Sequence, residues 1–350
     1  MNETGTVYLD GKPGRTCRVQ GQEFLFFSGY NYLGINGDAE FDELVLAGAA
    51  KYGWVFPSSR ISNTRLALYD ECEALLSQIS GSEDTVLMPS GYAAGRMSTS
   101  YFESTVYNAP GSHPAILQHQ SVYTNFNDWK EGLLYGQRAN DNDPLVMAAD
   151  ALSPLTATIN DFSFLKNLGR QAVMVIDDSH GVGITGEMGK GISSTLPSIT
   201  GLEYLFTYSL AKAYGISGGA VSCTRERAKF FRSLPEYTGV TPISPAQIYA
   251  FVNGQHIYQR QLEKLTYNMD FFRTLIKDLK GIVYTDGFPV FILPKGMNEA
   301  KFQEKGILIS SFAYPDPAGQ KLNRIVINAA HTPNDLQQLA AVLMSIQPIN

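Results

Sequence analysis

The chain has 350 residues, enough for two domains sharing a large core, and its 44% hydrophobic and 17% charged content is that of an ordinary globular protein. A formal net charge of −6 leaves no electrostatic footprint for nucleic acid, and no basic run suits an anionic membrane surface. Met1–Gly5 lacks a signal-peptide pattern, and apolar runs such as Leu44–Ala50 are far too short to span a bilayer. Cys17, Cys72 and Cys223 form no CxxC pair and read as free thiols of a soluble, cytoplasmic protein.

In chain order, the first clear element is a helix over Leu66–Ser80. It puts Tyr69, Cys72, Leu75, Leu76 and Ile79 on one face, with Thr64 as N-cap and Gly81 past its end. Short β-rich apolar runs follow at Thr85–Met88, Ala115–Leu117, Ala172–Ile176 and Tyr204–Phe206, separated by polar or amphipathic segments. This alternation predicts an α/β fold with a mostly parallel sheet between helices. A long helical pattern runs over 245–280 and stops before Gly281. Then come a strand at Arg324–Ile327 and a helix over Leu336–Ile346, led in by Thr332-Pro333-Asn334-Asp335. The expected organisation is an N-terminal arm (1–50), a large domain (51–240), and a smaller α+β domain (241–350) joined through the 245–280 helix.

Ligands of open α/β sheets bind beyond the carboxyl ends of the strands, and four groups fall at such ends. Pro89-Ser90-Gly91-Tyr92 makes a strand–turn–helix junction whose free N–H groups suit a phosphate, or is an ordinary turn. Asp177 closes an apolar strand, where a carboxylate needs a cationic partner such as a protonated pyridine nitrogen, or serves as a helix N-cap. His180, three residues on, is placed to bond a ring hydroxyl or is a loop histidine. His119 follows the run at 115–118 and either lies over an aromatic ring or is structural. Lys212, in Ser209-Leu210-Ala211-Lys212-Ala213-Tyr214-Gly215, has the small-residue setting of a Schiff-base lysine; the alternative is a surface lysine. The five histidines are scattered and no HExxH or Cys/His cluster exists, so no metal site is expected. GxxxxGK[ST], GxGxxG after a strand and GxSxG are all absent.

Taken together, these residues resemble the α-oxoamine synthases, pyridoxal-phosphate enzymes of the aspartate-aminotransferase fold. The resemblance runs in order through Tyr30-Asn31-Tyr32-Leu33-Gly34, Ser59-Arg60-Ile61, Ser90-Gly91-Tyr92-Ala93-Ala94 and His119-Gln120-Ser121. It continues through Asp177-Asp178-Ser179-His180-Gly181-Val182-Gly183, Gly186-Glu187-Met188-Gly189-Lys190-Gly191, Lys212, and Arg324-Ile325-Val326-Ile327-Asn328-Ala329-Ala330-His331-Thr332. It implies fold type I, with a seven-stranded sheet in the large domain and a homodimer with shared active sites. It also implies Lys212 as covalent anchor of pyridoxal 5'-phosphate and base, Asp177 on the pyridine nitrogen, His180 on the ring hydroxyl and His119 stacked on the ring. Ser90, Gly91, Tyr92, Ser209 and Ser153 would bind the cofactor, with Thr241 reaching the neighbouring subunit's phosphate. Arg324, with Asn31 and Arg60, would bind substrate, Arg324 clamping an amino acid carboxylate.

The implied reaction condenses a small amino acid with an acyl-CoA thioester, in most members with decarboxylation, to an α-amino ketone. The alternative is an aminotransferase, or a 2-amino-3-ketobutyrate CoA ligase-like member with another substrate. The chain departs from the family pattern at Ala211, where a serine usually precedes the lysine. It departs again in the bulky Gly53-Trp54-Val55-Phe56-Pro57-Ser58 and in a shortened 150–157 segment. The departures spare the cofactor residues and fall on the substrate side.

Overall fold

The computed structural model describes residues 6–136, 144–314 and 318–346; Met1–Gly5, read above for a signal, lie outside them. The chain opens with strands β1 (Thr16–Val19) and β2 (Gln22–Phe27), then helices α1 (Ala39–Tyr52) and α2 (Ala67–Ser80). Strand β3 (Asp84–Met88), helix α3 (Gly91–Thr99), strand β4 (Val106–Asn108) and helix α4 (Phe126–Tyr135) follow. Next come β5 (Leu145–Asp150), the small hairpin β6 (Leu152–Ser153) and β7 (Thr158–Ile159), then β8 (Ala172–Asp177), β9 (Leu202–Ser209) and β10 (Gly219–Cys223). Helices α5 (Arg225–Arg232), α6 (Pro235–Thr238), α7 (Pro245–Asn253) and α8 (Gln255–Ile276) lead to β11 (Val290–Ile292), α9 (Glu299–Gln303), β12 (Ile307–Phe312), β13 (Leu322–Val326) and α10 (Pro333–Ser345).

The large sheet has six strands among the described residues, not seven, in the order β3-β10-β9-β8-β5-β4. β4, β5, β8 and β9 are parallel, while β10 runs antiparallel to both its neighbours. β8 is buried along its whole length and β5 along all but its last residue, which is why both read as unbroken apolar runs. The parallel strands point their carboxyl ends the same way and so define one rim for a site.

Four expectations need correction. Residues 115–118 form turns, not a strand; Ala115 and Ile116 are buried there, and the Ile116 carbonyl is held by the Asn108 side chain at 2.9 Å. The strand beside β5 is the three-residue β4 instead. Thr64 caps nothing, since the helix begins at Ala67 with Leu66 at its N-cap, and the Thr64 hydroxyl pairs with Ser62. The 245–280 helix is broken at Gly254, where a Cβ would come within 2.7 Å of the Ala250 carbonyl and press on Leu44 and Phe41 of α1. The capping box of Thr332 and Asp335 at α10 is present as read.

The fourth correction concerns the N-terminus, which contains more than an arm. β1 and β2 join the smaller sheet, of order β1-β2-β12-β13-β11, through the parallel pairing of β2 with β12. The start of the chain is therefore built into the same layer as Arg324. No described helix is long and apolar enough to cross a membrane, and the three cysteines are buried free thiols.

Candidate active site

Adjacent parallel strands in register bring their last residues level. Asp150 at the end of β5 faces Asp177 at the end of β8, which in turn faces Thr207 two residues before the end of β9. Lys212 lies just past β9. These ends open onto a cavity of about 300 Å³ that also takes in Tyr30, His113, Ser153, His180, Phe312, Tyr314 and Arg324. The smaller sheet thus supplies one wall and the large sheet the other.

The acids form the floor. Asp177 is 7% exposed, and its Oδ1 accepts the Ser179 N–H at 2.9 Å. Desolvation, reinforced by Asp177, lifts the Asp150 carboxyl well above the usual carboxylate range. Desolvation does the same to Asp178, whose Oδ2 accepts the Ile192 N–H at 2.8 Å. Lys212 is half-buried. Desolvation pushes its ammonium down against the pull of Asp177 and Asp150, and Arg324 adds to the downward push. A lysine kept from holding its proton tightly is one that can act as nucleophile and base.

Both histidines of the cavity are anchored at Nδ1. The Tyr32 hydroxyl, whose phenol desolvation holds protonated, shares a hydrogen bond with His180 Nδ1 at 2.7 Å. His180 is pushed well below its ordinary value by desolvation and then by Lys212, which keeps the imidazole neutral. His113 Nδ1 accepts the Ala115 N–H at 3.1 Å, which leaves the hydrogen of its neutral ring on Nε2, and desolvation lowers its proton affinity too. The His113 backbone N–H donates to both Asp150 oxygens at 3.1 Å each, fixing the turn that carries the ring.

Opposite the acids sits Arg324, 7% exposed. One Nη donates to the Pro154 carbonyl at 3.2 Å, and the guanidinium carbon lies 4.9 Å from the centre of the Phe312 ring. Its Nε has no acceptor, and no carboxylate pairs with it among the described residues. A buried, unpaired guanidinium is costly to keep, and it has the fork that matches a carboxylate.

The structure brings Lys212, Asp177, His180, Ser153 and Arg324 together around one cavity. Ser90, Gly91, Tyr92 and Ser209 do not line the cavity but adjoin it. Ser90 accepts the Ala93 N–H at 3.1 Å and opens α3, with Tyr92 exposed beside it. A Cβ on Gly91 would fall 2.6 Å from that of Ser209, three residues before Lys212, so only glycine lets this turn close on β9. The Ser209 N–H in turn donates to the Ser179 hydroxyl at 2.9 Å.

Four expected residues are not placed there. His119 is exposed on a turn outside the cavity, because the strand that would have delivered it does not form. Arg60 is committed to Glu73 at 2.9 Å and is buried between Tyr69 and Tyr237. Thr241, expected to face a neighbouring subunit's phosphate and not this cavity, is exposed; Asn31 adjoins the lining Tyr30, its Nδ2 buried without a partner. Sequence reading missed His113 and Asp150. Asp150 closes the apolar run Leu145–Ala149 just as Asp177 closes its own, and that signal would have found it.

The residues fit pyridoxal phosphate on this structure's own terms. The orphaned Arg324 Nε awaits an acceptor, the Gly91 cradle would be filled by any Cβ, and a lysine of lowered proton affinity stands beside a buried carboxylate. Fold and site together define a pyridoxal-phosphate-dependent enzyme of fold type I. The chain belongs to the aminotransferase class I and II family, whose profile matches residues 141–343, more than half its length.

Within that family its likeness is to the α-oxoamine synthases. It is 27% identical to the 8-amino-7-oxononanoate synthase of Vibrio parahaemolyticus, covering 93% of this chain and 88% of that one. It is 25% identical to the biotin biosynthesis bifunctional protein BioWF of Corynebacterium kroppenstedtii over 94% of its own length, and spans 54% of that longer protein. The fold matches Sphingomonas wittichii serine palmitoyltransferase with a TM-score of 0.83 at 18% identity, covering 98% of this chain and 92% of that one.

Proposed function

We propose that this chain condenses a small amino acid with an acyl thioester to an α-amino ketone, as a pyridoxal-phosphate-dependent α-oxoamine synthase. The observation that carries the reading is Arg324: a desolvated guanidinium with no carboxylate paired to it among the described residues, lining the same small cavity as Lys212. That arrangement receives an α-carboxylate and presents the attached Cα to an amine.

Pyridoxal phosphate, when bound, supplies an aldehyde for Lys212 and a ring that accepts electrons from the substrate's Cα. The chain supplies the rest. The N–H groups at the start of α3, with Ser90 and Ser209, would hold the phosphate. Asp177 would pair with the ring nitrogen, and His180 would hydrogen-bond the ring oxygen. His113, on a turn fixed by Asp150, would take the role toward the ring that sequence reading gave to His119. Arg324 orients the substrate by its carboxylate, and Lys212 takes the Cα proton on Nζ.

We further infer a homodimer in the cytoplasm. The exposed Trp54, Val55, Ile61 and Tyr92 support pairing, and three free thiols suit a reducing compartment.

The test supplies purified protein and pyridoxal phosphate with single amino acids, with and without an acyl-CoA, and measures free thiol and product by mass. Amino-acid-dependent thiol release is expected, and it should vanish in Lys212→Ala, which should also lose the borohydride-fixed adduct. An oxo acid formed from the amino acid with no thiol released would make the chain an aminotransferase instead.

A further inference from the structure

Among the described residues β3 is the edge of the large sheet, paired only with β10. The backbone groups of Thr85 and Leu87 therefore face outward with no strand to meet them, in a region too buried for water to serve. Side chains take the place of the missing strand. Glu73 of α2 accepts the Leu87 N–H at 2.9 Å, and Arg232 of α5 donates to the Thr85 carbonyl at 2.8 Å.

These two side chains belong to one cluster. Glu73 also accepts Arg60 Nη1 and Arg232 Nη2, each at 2.9 Å, while Arg232 grips Asp84 at 2.7 and 2.8 Å. Two carboxylates thus balance two guanidinium groups, and Glu73 is only 5% exposed. Arg60 lies 4.8 and 5.1 Å from the ring centres of Tyr69 and Tyr237, and the Tyr69 hydroxyl donates to the Ile243 carbonyl at 2.7 Å. The cluster joins the 59–60 segment, α2, β3 and the 232–243 stretch.

Its location matters because β3 leads straight into Ser90-Gly91. On the inner side that turn is already at its limit: a Cβ on Gly91 would meet Ser209 Cβ at 2.6 Å, and one on Gly219 would meet Gly91 Cα at 2.6 Å. Contact with β9 and β10 stops the turn from moving inward. Outward, β3 is held by its ladder to β10 and, on its open side, by Glu73 and Arg232. We propose that Glu73, bridged to Arg60 and Arg232, is a positioning residue that sets the phosphate-binding turn, so that the phosphate's share of cofactor affinity depends on it. This rests on the cofactor reading above.

The experiment titrates wild type, Glu73→Gln and Arg60→Lys with pyridoxal phosphate and, separately, with pyridoxal, following the lysine-bound chromophore; urea unfolding is measured in parallel. The wild type should prefer the phosphorylated aldehyde. Glu73→Gln keeps an acceptor for Leu87 but weakens both arginine bridges, and should cut that preference by about tenfold while binding of pyridoxal changes little. Arg60→Lys, the milder change should Glu73→Gln fail to fold, should cut it in the same direction. A ratio of affinities unchanged in the folded variants overturns the inference, as does an equal loss for both aldehydes, which marks a purely structural role. Wild type that binds neither aldehyde refutes the cofactor reading itself.

Discussion

Arg324→Met should stabilise the substrate-free protein while disabling it. The guanidinium is 7% exposed, with one carbonyl at 3.2 Å, one aromatic face at 4.9 Å and an orphaned Nε. Burying an unpaired cation costs several kcal/mol. Against that stand one charged hydrogen bond, worth about 2 kcal/mol, and a desolvated cation–π contact worth roughly 2 kcal/mol. Methionine keeps the apolar packing on Phe312 and removes the charge, leaving a net gain on the order of 1 kcal/mol. Urea unfolding without amino acid should show the midpoint rising. In the condensation assay the same variant loses a bidentate carboxylate contact worth about 3 kcal/mol, so kcat/KM for the amino acid should fall by roughly a hundredfold. An amine lacking the carboxylate should bind both proteins equally. A variant that unfolds at markedly lower urea, or that keeps its kcat/KM, would show that Arg324 is a structural group and not the carboxylate receptor.

Two further outcomes separate structural from functional histidines. His331 is buried against Phe27, accepting the Asn328 N–H at Nδ1 and donating from Nε2 to the Phe26 carbonyl, and burial pushes its pKa down to about 4. The unfolded chain binds this proton near pH 6.5, so stability is complete above that value. It is then lost as pH falls toward 4, by on the order of 3 kcal/mol in all. His331→Gln should flatten that part of the urea-midpoint profile; an unchanged slope would assign the acid sensitivity elsewhere. His113→Ala should weaken cofactor binding and turnover by tenfold or more, roughly the scale of a general acid–base or stacking contact, whereas His119→Ala should leave both unaltered. The opposite ranking would restore His119 to the site.

Asp177 and Lys212 were legible because their signals are local, an acid closing an apolar run and a lysine among small residues, whereas Arg324 stood out only through the family resemblance. His119 misled because Ala115-Ile116-Leu117 is as apolar as a strand. Burial there comes from packing beneath a turn, with Asn108 satisfying the Ile116 carbonyl. Meanwhile the true strand, Val106–Asn108, is too short to show a period. Arg60 misled for another reason. Its partners Glu73 and Tyr237 stand on other elements, so a motif reading sees a free cation where the fold has a paired one. The pairing of β2 with β12 is a contact across nearly the whole chain, invisible to any local pattern.

The cavity gathers charges of both signs around Lys212, with a consequence for the base. Asp177 and Asp150 raise the proton affinity of Lys212, while Arg324 lowers it, with desolvation the largest influence of all. On the proposed function, a substrate carboxylate seated on Arg324 would cancel that repulsion. Lys212 would then become a stronger base only once an acid-bearing substrate has arrived, which would tie proton removal to correct loading of the site. Arg324→Met removes the same repulsion permanently. In the cofactor-free variant, the pH above which Lys212 captures an aldehyde should therefore move upward from the wild-type value. A downward or absent shift would mean that Arg324 is too well screened to act on the lysine, and that its part in the chemistry ends at holding the carboxylate.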